Sequence, residues 1–211
     1  MQQLITRVQT ANSLLCVGLD PIGTDAEVAV RLRQVVAETH AYAAVFKPNL
    51  AFFLSREDGV ALLKSTIQRI PADIPVILDG KFGDIANTAA HYARFAYDVV
   101  GAHGGHLSDL AAQVARQLDE ELPEAIIGLV VGATEPAAMA RVRAACPRQW
   151  FLVPGIGAQG GDLAATLKAG LRKDGSGVLI NASRSIWQAA DAGKAAQELR
   201  DQINAFRLVK S

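Results

Sequence analysis

The chain has 211 residues, a length suited to one α/β domain, and half of them are hydrophobic, enough to bury a large core. Its 21 basic and 21 acidic side chains cancel, so net charge gives no reason to expect a nucleic-acid or membrane-surface partner, while an anionic small ligand stays open. Two cysteines, Cys16 and Cys146, sit among apolar neighbours and read as buried thiols of a reducing compartment. With no basic-then-apolar leader and no apolar run of about 18 residues, the expectation is a soluble, cytoplasmic protein.

In chain order, short runs of Val, Ile and Leu predict strands over 14–20, 44–50, 75–81, 125–134, 150–157 and 177–183. They are apolar almost throughout rather than alternating, the pattern of parallel strands buried on both faces. Helical patterns fall between them, over 26–43, 57–70, 88–100, 136–146 and 161–171, and a last helix runs from about Ala189 to Phe206. Repeated strand–helix units predict a parallel α/β architecture. A (β/α)8 barrel and an open doubly wound sheet both fit. Residues 98–124 hold one helical stretch and no convincing strand, so an eight-stranded barrel is about one βα unit short there. Neither a linker nor a low-complexity segment divides the chain, which reads as one domain over 1–211.

Polar residues gather where the predicted strands end: Asp20 after the first, Lys47 and Asn49 on the second, Asp79, Lys81 and Asp84 on or after the third, then Thr134, Gln159 and Arg184. Both candidate architectures place active sites at that edge. Asp79 and Lys81 are two apart and share one face of a strand. Lysines interleaved with carboxylates stay protonated, and a fixed ammonium is a general acid that can deliver a proton to a forming carbanion. The competing reading is structural: Asp84 as cap of a helix beginning near Ala86, and Asp79 with Lys81 as an ion pair.

LVPGIGAQGGD, residues 152–162, reads as strand, glycine-rich turn and helix, whose backbone N–H groups can hold a phosphate. Gly155, Gly157 and Gly160 satisfy G-x-G-x-x-G, but the motif falls late in the chain and the next strand ends in Asn181 and Ser183 rather than an acid for a ribose. Arg184, after that strand, supplies a guanidinium for a barrel-type phosphate site. His103 and His106 read as loop residues rather than metal ligands.

Six segments together resemble the orotidine 5'-monophosphate decarboxylase family, in its bacterial branch: CVGLDP (16–21), FKPNLAFF (46–53), ILDGKFGDIANT (77–88), GLVVGAT (128–134), LVPGIGAQGGD (152–162) and LINASRSI (179–186). The resemblance implies a (β/α)8 barrel of TIM type, with one βα unit shortened or missing around 98–124. It implies a carboxy-lyase of pyrimidine synthesis that uses no metal and no cofactor and takes a nucleotide substrate. It implies a catalytic array of Lys47, Asp79, Lys81 and Asp84, with Lys81 donating the proton to C6 and Asp79 beside the departing carboxylate. Asp20 and Lys47 would contact the ribose, Pro154 the base, and Gln159 and Arg184 the 5'-phosphate. Asp84 and Thr88 would reach into the other subunit's site in a homodimer. The chain departs from the family's pattern at Phe82, in lacking a clear fourth strand within 98–124, and in lacking the segment whose serine binds the pyrimidine. The alternatives are a related magnesium-dependent barrel aldolase or decarboxylase acting on sugar phosphates, a nucleotide-binding barrel without catalysis, and a dinucleotide-dependent oxidoreductase.

Overall fold

Parallel strands and helices alternate along the chain, whose computed structural model describes residues 2–79, 128–156 and 160–208. The elements are α1 (Gln2–Thr10), β1 (Leu15–Leu19), α2 (Asp25–Thr39), β2 (Val45–Pro48), α3 (Leu50–Leu54), α4 (Gly59–Arg69), β3 (Gly128–Val130), α5 (Pro136–Ala145), β4 (Trp150–Val153), α6 (Leu163–Gly170), β5 (Val178–Ala182), α7 (Arg184–Trp187) and α8 (Ala192–Leu208). The predicted strand over 75–81 is described as far as Asp79. It runs beside β2 through isolated parallel bridges, Phe46 to Val76 and Asn49 to Asp79, instead of forming a continuous ladder.

Strand order decides between the two architectures. The five-stranded sheet runs β2-β1-β5-β4-β3, all parallel, and residues 75–79 continue it beyond β2. Among the described residues β1, β2 and residues 75–79 are neighbours in chain order, as are β3, β4 and β5, and the first strand pairs with the last through Leu15 and Ile180. That ring order is a barrel's. A doubly wound sheet would reverse strand order at a switch point, and the described strands show none.

Burial follows the apolar runs. All of β1 and β2 is buried, and β4 and β5 nearly so, with Val17, Phe46, Phe151 and Ile180 in the core. β3 differs: Val130 is 69% exposed, because β3 ends the described sheet and gains a neighbouring strand on one side only. Outside the sheet, α2 buries Val28, Leu32, Val35, Val36 and Thr39, a stripe at helical spacing. Thr24 and Glu27 close its start as a capping box.

Three short helices lie where no helix is predicted. α1 buries only Leu4 and Val8, too narrow a stripe for its pattern to stand out. α3 takes over where the second strand was expected to reach residue 50. The Asn49 side chain accepts from Ala51 N–H at 3.4 Å and caps the helix, ending the strand at Pro48. α7 begins directly after β5. Among the described residues, no helix is long and apolar enough to cross a membrane.

Candidate active site

The C-terminal ends of β1 and β2 bring three charged residues together. Lys47 lies inside β2 and is 4% exposed, so its ammonium needs a partner. It donates to Asp79 Oδ2 at 2.8 Å and stands 3.9 Å from Asp20 Oδ1. Both carboxylates are largely buried, at 20% side-chain exposure for Asp20 and 17% for Asp79. Asp20 Oδ1 is buried and accepts no hydrogen bond from a described residue. An oxygen of that kind is costly unless something donates to it, and a ligand hydroxyl would.

Local contacts explain why these groups meet. Asp79 N–H donates to Pro48 O and Leu50 N–H donates to Asp79 O, both at 2.9 Å, which clamps Asp79 to the end of β2. The loop that follows Asp20 is held by Arg56, whose guanidinium donates to Pro21 O and Gly23 O, each at 3.1 Å, and pairs with Asp25. Gly18 keeps the floor open: a Cβ there would stand 2.7 Å from Ser183 Cβ and 3.2 Å from Asn181 Oδ1.

Beneath the charges lies Cys16, a fully buried free thiol whose Sγ–H donates to Asn181 Oδ1 at 3.4 Å. Burial, first of all, pushes this thiol up to about 12; Asp20 and Asp79 push the same way and the Lys47 ammonium opposes them. The thiol therefore stays protonated and is no nucleophile at neutral pH. Cys146 is likewise a buried thiol outside any disulfide, as expected from its apolar neighbours.

Beside the charged cluster is a cavity of about 90 Å³. Asp20, Pro154, Asn181, Ser183 and Arg184 are among its lining residues. Asp20 thus belongs to both the charged cluster and the cavity. Arg184 is exposed and makes no ion pair or side-chain hydrogen bond with a described residue. At the glycine turn, Gly155 (φ +106°) and Gly160 (φ +82°) adopt conformations open to glycine. Gly161 N–H donates to Gly155 O at 2.9 Å and pinches the turn shut. The start of α6 is already capped, since Asp162 Oδ1 accepts from Ala165 N–H at 3.0 Å. An anion at this end of the barrel is accordingly better served by Arg184 and the turn than by that helix terminus.

Of the residues predicted from sequence, Asp20, Lys47 and Asp79 form one cluster, and Asp20, Pro154 and Arg184 line one cavity. Lys81, Asp84, Thr88 and Gln159 lie outside the described residues, as do His103 and His106. Cys16, Asn181 and Ser183 were not singled out as site residues. The signal was present in NAS, where two polar side chains two apart interrupt an apolar strand on one face.

The family model described as "Orotidine 5'-phosphate decarboxylase / HUMPS family" matches residues 13–106 and 101–199. The chain belongs to that family. It is 35% identical to the orotidine 5'-phosphate decarboxylase of Ralstonia pickettii (strain 12J), covering 98% of each chain. Among solved structures, it is 40% identical to the OMP decarboxylase of Leishmania donovani, covering 98% of both chains with a TM-score of 0.80. It is 42% identical to the UMP synthase of the same organism, covering 97% of this chain and 56% of that one with a TM-score of 0.79. These neighbours agree with the ring order of the strands in giving a (β/α)8 barrel, here partly shortened. The alignment to the Ralstonia protein runs over 268 residues, although this chain has 211, so that relative carries residues this chain lacks. The two pieces of the family match meet at 101–106, inside the stretch expected to be short of a unit. The structure of 98–124 itself lies outside the described residues.

Proposed function

We propose that the protein decarboxylates orotidine 5'-monophosphate to uridine 5'-monophosphate in pyrimidine synthesis, as a soluble cytoplasmic homodimer. The observation that carries this reading is the buried ammonium of Lys47 between Asp79 and Asp20, at the rim of a cavity that also presents Arg184. A nucleotide's phosphate suits Arg184, with Gln159 as a second ligand and Pro154 near the base. Its ribose hydroxyls suit Lys47 and Asp20 Oδ1, which accepts no hydrogen bond from a described residue.

In this reading the bond from C6 to the carboxylate breaks, CO2 departs, and the electron pair stays on C6. Lys81, two residues beyond Asp79, gives its Nζ proton to that carbon and regains one from water. Before bond breaking, Asp79 disfavours the substrate carboxylate by like-charge proximity. The fixed ammonium groups stabilise the charge as it develops, the larger of the two effects in most enzymes. Asp84 and Thr88 act in the partner subunit's site and complete the array. Phosphate binding, remote from C6, supplies part of the energy that holds the substrate in this arrangement.

The test is turnover of orotidine 5'-monophosphate by the purified chain, followed by the change in pyrimidine absorbance, with and without EDTA. Turnover insensitive to EDTA is expected, and EDTA sensitivity would favour a magnesium-dependent relative. Lys81→Ala is expected to abolish turnover while leaving nucleotide binding in place; normal activity in that variant overturns the reading. The shortened middle of the chain favours one second reading, a barrel that binds nucleotide without catalysis. Binding of uridine 5'-monophosphate without any turnover would select it.

A further inference from the structure

We propose that Asn181 is a substrate-binding, specificity-determining residue that donates its carboxamide N–H to an acceptor oxygen on the sugar–phosphate end of the nucleotide, with Cys16 as the positioning residue that fixes which way the carboxamide faces. This rests on the nucleotide reading of the site given above.

Register places the two residues side by side. Cys16 pairs with Asn181 across β1 and β5, one layer below Gly18 and four positions before Asp20. Gly18 lacks the Cβ that would stand 3.2 Å from Asn181 Oδ1, so the carboxamide has room to extend from Cys16 to the cavity it lines. Its oxygen is occupied by the Cys16 Sγ–H at 3.4 Å. No described residue accepts from its amide hydrogens. One end of the group is thus satisfied by the core, and the other end is left for the cavity.

Cys16 decides the orientation because a thiol held in its protonated form offers a hydrogen, whereas its sulfur is a poor acceptor. Turning the carboxamide over would set N–H groups against sulfur. It would also bring a second acceptor oxygen into a cavity where Asp20 Oδ1 already waits without a donor. An anionic ligand brings acceptors, so a donor is the useful group to present there. Ser183 Oγ, buried in the same cavity wall and without a hydrogen-bond partner among the described residues, can serve the same ligand as donor or acceptor. At about 90 Å³ the cavity holds only part of a nucleotide, which fits the sugar–phosphate end beside Arg184.

Steady-state kinetics with orotidine 5'-monophosphate on the full chain, with calorimetric binding of uridine 5'-monophosphate alongside, tests both roles. Asn181→Ala is expected to raise KM about fivefold, the loss of one net hydrogen bond, with the change falling on KM rather than kcat. Asn181→Asp is expected to raise it further, by placing a carboxylate against an anion. Cys16→Ala should give a smaller rise, and Cys16→Ser, which keeps a donor, should regain most of that loss. The double variant Cys16→Ala/Asn181→Ala should bind no worse than Asn181→Ala alone, because both changes act through one group. An unmoved KM and Kd in Asn181→Ala, or effects that multiply in the double variant, overturns the inference while wild-type turnover still supports the parent reading. Should Asn181→Ala misfold, Asn181→Ser keeps a small polar group in its place and the same KM criterion decides. A wild-type chain that neither turns over nor binds these nucleotides overturns both.

Discussion

Lys47 reaches across from β2 to Asp79 on the neighbouring segment, its Nζ 2.8 Å from Oδ2, with only 5% of its side chain exposed. The second carboxylate, Asp20, stands at 3.9 Å, beyond hydrogen-bond distance. The two interactions are therefore unequal, and removing either partner has a different consequence.

Asp79→Ala leaves a buried ammonium facing Asp20 alone. Losing one partner of a buried pair costs about 3–5 kcal/mol. Replacing both, as in Lys47→Met/Asp79→Leu, is expected to cost less, because no buried ammonium is left behind and Asp20, with 20% of its side chain exposed, keeps access to solvent. Urea unfolding of the single and double variants measures the difference, and turnover should be lost in each. A double variant no more stable than Asp79→Ala would show that the pair is not a stability element.

Arg184 offers the opposite case. It is exposed and bonds no described side chain, so Arg184→Ala should change stability by less than about 0.5 kcal/mol. Its expected effect is on binding: a rise in KM of about tenfold to a hundredfold, the range for a charge-assisted hydrogen bond. Arg184→Lys should recover only part of it, because an ammonium cannot grip a phosphate with two parallel bonds. An unchanged KM would move the phosphate elsewhere.

How much of this was legible beforehand depends on the range of the interaction. The strands were legible because runs such as LLCVGL and GVLIN carry their burial in their own composition. The ring was legible only through the family resemblance, since pairing Leu15 with Ile180 is a relation between distant residues that local pattern does not encode. α3 was hidden for a local reason: AVFKPNL is largely apolar and reads as one strand to residue 50 until the Asn49 cap is seen. In the site, charged Lys47, Asp79 and Arg184 announced themselves against apolar strands. Asn181 and Cys16 did not, because an amide and a thiol in a core gain meaning only from what stands opposite them.

Gly18 and Gly160 make a matched pair of substitutions. At Gly18 a methyl would stand 2.7 Å from Ser183 Cβ, which is fixed to the backbone just after β5 and cannot swing aside. Gly18→Ala is therefore expected to cost about 1–3 kcal/mol and to weaken nucleotide binding as well. At Gly160 nothing lies within 4 Å, but φ is +82°, so Gly160→Ala pays only the backbone penalty of about 1–2 kcal/mol. Melting curves compare the two, with binding of uridine 5'-monophosphate as the second readout. Equal loss of binding in both would contradict the crowding argument at Gly18.

Cys16 predicts a pH dependence with a definite sign. Its thiol is pushed up to about 12 in the folded chain, against an ordinary value of 9.0. Below pH 9 both states hold the proton and the stability is complete. Above it the unfolded chain releases the proton while the folded chain keeps it, so stability falls with rising pH, by up to about 1.4 kcal/mol per unit until the folded thiol titrates. Cys16→Ser lacks this titration. The stability gap between wild type and Cys16→Ser should therefore narrow from pH 9 to pH 11 in urea unfolding, whereas parallel curves would show that the thiol titrates normally.

The proposed sharing of Asp84 and Thr88 between subunits can be tested by complementation. If each site takes Lys47 and Lys81 from one chain and Asp84 from the other, Lys47→Ala and Asp84→Ala homodimers are both inactive. After mixing and subunit exchange, half the dimers are hybrids, and each hybrid has one site with both defects and one with neither. Activity should then rise to roughly a quarter of wild type, since isologous pairing places the intact residues of both chains in the same site. Size-exclusion chromatography with light scattering establishes the dimer first. Mixing Lys47→Ala with Lys81→Ala is the control, because two defects in one chain's contribution leave every hybrid site impaired. A dimer whose mixed variants stay inactive would place Asp84 in its own chain's site.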